Sequence, residues 1–301
     1  MTKKMKTTEQ ELKELFVLPF GLKKIATLDG LDLFGSDRLN KSFVKTMSKT
    51  GRGKAIASTI ESMIAKQQFL PAFVSKNIFA LIKRKVFPGG LPKGIMGFYS
   101  LRHKVIMLCL DNNIKFGFAN DDWMARLTIH EGMHKMASEH SSAFMSFFKK
   151  DLEDYYAALF TRLFSLKTRP KEMDKIVKFI FFKVEQGQKW HDNSVIMSYY
   201  KMLQTTLKKY TTLPDEAFEG MVRDYIVTWK VYVKAPYLLF QNIQKYAHIL
   251  RPIAYAYKDV YGKFVNRNFY IQEIGIPSEV IAIRSEIKGD SLTYKAFSKL
   301  G

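Results

Sequence analysis

The chain is poor in cysteine and in acidic residues, and it has no long apolar run. Its single cysteine, Cys109, lies in the apolar stretch Val105 to Leu110, so no internal disulfide can form. That suits a reducing compartment, or a particle assembled inside a cell, and gives Cys109 a packing role. No segment approaches the ~20 apolar residues of a membrane helix, so no membrane span is expected. The basic start, Met1 to Lys6, is followed by Glu9, Glu11 and Glu14 rather than by the apolar core of a secretion signal. The expected location is the cytoplasm or an intracellularly assembled particle. Acidic residues number 28 against 48 basic ones, a net charge of +20.

What is present is a large core and a skewed charge. With 47% hydrophobic and 14% aromatic residues the chain is too apolar to remain disordered. Residues 1–60 carry 12 basic and 6 acidic side chains, and residues 61–120 carry 9 and 2, so the first 120 hold 21 − 8 = +13. Such a field favours nucleic acid or an acidic protein partner. The stretch Thr50 to Ala55 has glycines and a lysine, but lacks the spacing and the Ser or Thr of a phosphate loop.

Residues 8–86 read as short amphipathic helices, including Ser58 to Ala65 and Pro71 to Val86. The breaker cluster Phe87 to Gly94 follows, which suggests a basic, mainly helical region 1–88 and a second domain 89–301. Strands are expected at Ile95 to Ser100 and Val105 to Leu110, then a helix from Asp121 to about Ser138. A further helix should start after Ser141 and Ser142, with Phe148, Leu152, Tyr155, Leu159 and Leu163 as its buried stripe. The remainder reads as helical, with a strand near Phe269 to Ile276. The fold class is therefore α+β, predominantly helical, with a small sheet beside the Asp121 helix.

That helix contains Thr128-Ile129-His130-Glu131-Gly132-Met133-His134, a His-Glu-x-x-His pattern. Residues four apart on a helix differ by ~40° in direction and ~6 Å along the axis, so two imidazoles can converge on one ion. A glutamate beside the first histidine falls where a general base is needed. At this composition, chance gives the pattern roughly once in two hundred such chains, which makes a metal site the better account of it.

Gly97 to Tyr99, Val105 to Leu108 and Leu127 to Glu131 together resemble the zincin metallopeptidases, in which a substrate-binding edge strand precedes the His-Glu-x-x-His helix. The resemblance covers residues 94–165. It implies Zn2+ held by His130 and His134, with Glu131 as general base in hydrolysis of a peptide or protein substrate. Three readings of the third ligand stay open. Eighteen residues separate His134 from Glu153, similar to the aminopeptidase type of gluzincin; Glu153 also makes sense as an exposed acid balancing Lys149 and Lys150. His140 has the metzincin spacing, but Ala137 stands where that family needs glycine, and Met197 fits an amphipathic helix better than a methionine turn. Glu216, Glu219 and Glu279 are more distant choices, each also an ordinary first-turn acid. The alternative function is a structural or virion component that keeps the zincin fold, with its basic N-terminal region against nucleic acid.

Overall fold

In the computed structural model, the described residues are mainly those of 22–28, 31–36, 71–74, 96–100, 104–109, 121–185, 193–234, 244–262 and 277–297, with isolated positions between 41 and 62 and at 112, 113 and 299. The chain forms two compact units, Met1–His140 with Ala282–Gly301, and Ser141–Ile281.

The first unit holds a five-stranded mixed sheet. Its strands are β1 (Leu22–Leu28), β2 (Leu31–Ser36), β3 (Pro71–Val74), β4 (Gly97–Ser100) and β5 (Val105–Cys109), in the order β1-β2-β3-β5-β4. β3 runs parallel to β5, from Pro71 opposite Ile106 to Val74 opposite Cys109, while β4 and β5 form an antiparallel hairpin. Lys104, at φ 53°, takes the left-handed conformation just before β5. Strands thus stand at 22–28, 31–36 and 71–74, where short helices, among them Pro71 to Val86, are expected from the sequence. The reason is visible in β1, where the register shifts between Lys24 and Ala26. A bulge interrupts the two-residue alternation there, and Leu22, Ile25 and Leu28 are left at a spacing that imitates a helix. The β3–β5 pairing crosses the boundary expected at residue 88. Described positions Ser58, Glu61 and Ser62 are helical, as expected, and the strand expected at Phe269 to Ile276 lies outside the described residues.

Helix α1 (Asp121–Glu139) packs on β4 and β5. Met124, Ile129, Met133 and Met136 are all at most 2% exposed, and each such apolar side chain contributes about 1.5–3 kcal/mol through burial. Polar residues are buried on the same helix: Thr128, His130, Glu131 and Lys135. A helix covered on so many sides is a core element, and its buried charges need partners.

The second unit is helical: α2 (Ser141–Leu163), α3 (Met173–Glu185), α4 (Asn193–Leu207), α5 (Asp215–Lys234) and α6 (Ala247–Tyr261). The expected stripe of Phe148, Leu152, Tyr155, Leu159 and Leu163 is buried. Around it lies an aromatic core in which Phe160 meets Tyr156 at 5.5 Å and Tyr225 at 5.9 Å between ring centroids. Helix α7 (Pro277–Lys288) runs unbroken through the 281/282 division, and α8 (Ser291–Phe297) follows it and packs on α1. Among the described residues, no helix is long and apolar enough to cross a membrane.

Candidate metal centre

The two histidines of α1 point their Nε2 atoms at each other, 3.3 Å apart, with ring centroids 5.0 Å apart. Two nitrogens at 2.0–2.1 Å from one tetrahedral ion are separated by roughly 3.3–3.4 Å, so this pair already has the chord of a zinc site. Glu279, in the first turn of α7, completes a group whose ligand atoms all lie within 4.8 Å of one another. Among the described residues it is the group of histidine, cysteine and carboxylate side chains able to hold a metal ion. His130 is buried, whereas His134 and Glu279 are half-buried. Such a set, two imidazoles and one carboxylate with partial exposure, could hold a metal ion.

Glu286 adds a second carboxylate from the same helix. Its Oε2 lies 3.2 Å from His130 Nδ1, and both side chains are under a tenth exposed. With Glu286 ionised, its carboxylate accepts from Nδ1–H and leaves the Nε2 lone pair on the side of His134, where a metal ion would be held. Glu279 and Glu286 are seven residues apart, two turns, and so share one side of α7. Sequence reasoning weighed Glu279 and overlooked Glu286. The seven-residue repeat was the available signal.

The other expectations separate cleanly. Glu153 is not in the group; it lies 3.8 Å from Lys149 and 3.5 Å from Arg169, which fits its reading as a charge-balancing acid. Burial raises the Glu153 carboxyl above its usual range, and the adjoining Asp174 adds to this, against Lys149 and Arg169. His140 is exposed at the end of α1, and Glu216 is exposed and Glu219 half-buried on α5; none belongs to the group. Met197 is 60% exposed on α4, which is helical as expected and forms no methionine turn. His248 pairs with Asp224 at 3.0 Å, while His103 and His191 lie outside the described residues.

Glu131 is 5% exposed and faces β4, where a Cβ on Gly97 would lie 3.4 Å from Glu131 Oε1. β4 is the terminal strand in the sheet order. Cys109 N donates to Met96 O at 2.7 Å, so Met96, Phe98 and Ser100 form the hydrogen-bonded pairs with β5. Gly97 and Tyr99 therefore direct their backbone N–H and C=O groups away from β5. The Tyr99 side chain lies on the α1 side and donates to Glu139 Oε1 at 2.6 Å; Lys135 Nζ donates to Glu139 Oε2 at 2.7 Å. Burial and that carboxylate push the Tyr99 phenol up. Burial also raises the Glu139 carboxyl, but the bonds from Lys135 and Tyr99 outweigh it and hold it below the usual range. Buried Asn113 ties the start of this hairpin, donating to Cys109 O at 2.7 Å and Met96 O at 3.1 Å.

No protein-family model matches the chain, and neither a curated protein nor a solved structure is found similar to it.

Proposed function

We propose that the chain is a zinc-dependent peptidase in which His130, His134 and Glu279 hold the ion and Glu131 is the general base. The observation that carries this reading is the convergence, within 4.8 Å, of one ring nitrogen from each histidine of the His-Glu-x-x-His helix and a Glu279 carboxylate oxygen. It replaces Glu153 by Glu279 as third ligand. Zinc held there would supply Lewis acidity and lower the pKa of a coordinated water towards ~7. Glu131, buried beside Gly97, takes the proton of the attacking water and returns it to the leaving amine. An extended peptide pairs with the outward backbone groups of Gly97 and Tyr99, which brings its scissile carbonyl along the same edge. Glu286 holds His130 in the tautomer that ligation needs.

The test is zinc content and hydrolysis of a quenched peptide library, measured on wild type and single variants. One zinc per chain, lost in His134→Ala and depleted in Glu279→Ala but kept in Glu153→Ala, supports the ligand set. Glu131→Gln should keep zinc and lose turnover by at least ~100-fold. A chain that binds no zinc, or one whose turnover survives Glu131→Gln, sinks the proposal.

A further inference from the structure

Away from the histidines, the first unit carries a row of positive charge. Residues 38–54 contain six basic side chains (Arg38, Lys41, Lys45, Lys49, Arg52 and Lys54) and no acidic one. Lys41, Lys45 and Lys49 are helical and exposed. Ser48 Oγ donates to Val44 O at 2.7 Å, the bond of a side chain to the preceding helical turn. Lysines four apart on a helix advance by ~6 Å with ~40° of rotation, so these three helical positions fall along one side over about 12 Å, as a ridge. Among the described residues no ion pair holds any of the three, whereas Lys149, Lys178, Lys208 and Lys209 on the helical unit are paired with carboxylates. Charge left unpaired in a regular line suits a polymer with regularly repeated negative charge. Duplex DNA presents one such charge per ~1.7 Å of axis.

We infer that the Lys41–Lys45–Lys49 ridge is a nucleic-acid backbone contact, independent of the metal centre and reading phosphate without base sequence. Three phosphate contacts give a slope of about −2.7 in log affinity against log salt, or about 40-fold between 50 and 200 mM.

Fluorescence anisotropy of the 301-residue chain with a labelled duplex of arbitrary sequence, about 20 base pairs long, tests the inference. The K41E/K45E/K49E chain should lose affinity at 50 mM salt. The wild-type affinity should also fall about 40-fold further than the variant's on going to 200 mM salt. K41Q/K45Q/K49Q serves if the charge-reversed chain does not fold. K150E/K175E/K201E makes the same change in net charge on exposed lysines of the helical unit and should retain the wild-type slope. Equal loss in that control, or unchanged binding in both ridge variants, overturns the inference. Competition by poly-L-glutamate as effective as that by unlabelled duplex overturns it too, in favour of an acidic protein partner.

Discussion

His130 Nδ1 and Glu286 Oε2 lie 3.2 Å apart although 156 residues separate them in sequence, and both side chains are shielded from water. Removing the carboxylate frees the imidazole to rotate and to adopt the other tautomer. Glu286→Ala should therefore weaken zinc affinity by about 10–100-fold, with Glu286→Gln intermediate because its amide oxygen can still accept. Competition against a chromogenic chelator measures this, and unchanged affinity in Glu286→Ala would show that the pair is only packing.

How much of this site could be read from the chain depends on sequence distance. His130, Glu131 and His134 lie within one helical turn and a half, where spacing alone dictates a shared direction. β4 and β5 flank a short connection and carry Phe98, Tyr99, Val105 and Ile106, so local composition reveals them. Glu279 follows His134 by 145 positions, and at that distance spacing carries no geometric information. That Glu279 rather than Glu153 lies beside the two histidines follows from the packing of whole helices. β1 was hidden for the opposite reason, since its bulge erased a local signal that would otherwise have been legible.

Gly97 should resist even a methyl group. A Cβ there would meet Leu108 Cδ2 at 3.0 Å and Met107 O at 3.1 Å, and would come within 3.4 Å of Glu131 Oε1. The Leu108 side chain can move, but the Met107 carbonyl belongs to the β5 backbone, so β4 or the Glu131 carboxylate must shift. Gly97→Ala should lower turnover by about 10-fold or more with zinc content unchanged, since small misplacements at a reacting centre are costly. Wild-type kinetics in that variant would remove Gly97 from the account.

The Tyr99–Glu139–Lys135 contact predicts an acid-sensitive element. Glu139 has a folded-state pKa below its ordinary value of 4.5, so its contribution is complete above that value and is lost as pH falls through the lower, folded one. Denaturant unfolding should show wild type losing stability relative to Glu139→Gln in that acidic window, with the gap constant at neutral pH. Tyr99→Phe removes one hydrogen bond to a charged acceptor and should cost about 1.5–3 kcal/mol at pH 7. If the two chains run parallel down to pH 3, the contact contributes nothing through Glu139.

The last prediction links the scaffold to the metal. Arg284 lies on α7 between Glu279 and Glu286, is 3% exposed, and meets Asp290 at 2.7 and 3.0 Å. Asp290 also accepts from Thr293 N at 3.1 Å, which caps the start of α8. Burial raises the Asp290 carboxyl, but the Arg284 and Thr293 bonds hold it below its usual range. Asp290→Ala removes the carboxylate partner of a buried guanidinium, which keeps its bond to Thr293 Oγ1, and should destabilise the chain by about 1.5–3 kcal/mol. Arg284→Met removes both the charge and its need for a partner, so the double variant Arg284→Met/Asp290→Ala should recover much of that loss. Because α7 carries Glu279 and Glu286 on one side, zinc affinity should fall in Asp290→Ala and return with the double variant. Zinc titration and denaturant unfolding on the same three chains separate the effects: stability lost with affinity intact would mean that α7 holds its ligands without the Arg284–Asp290 anchor.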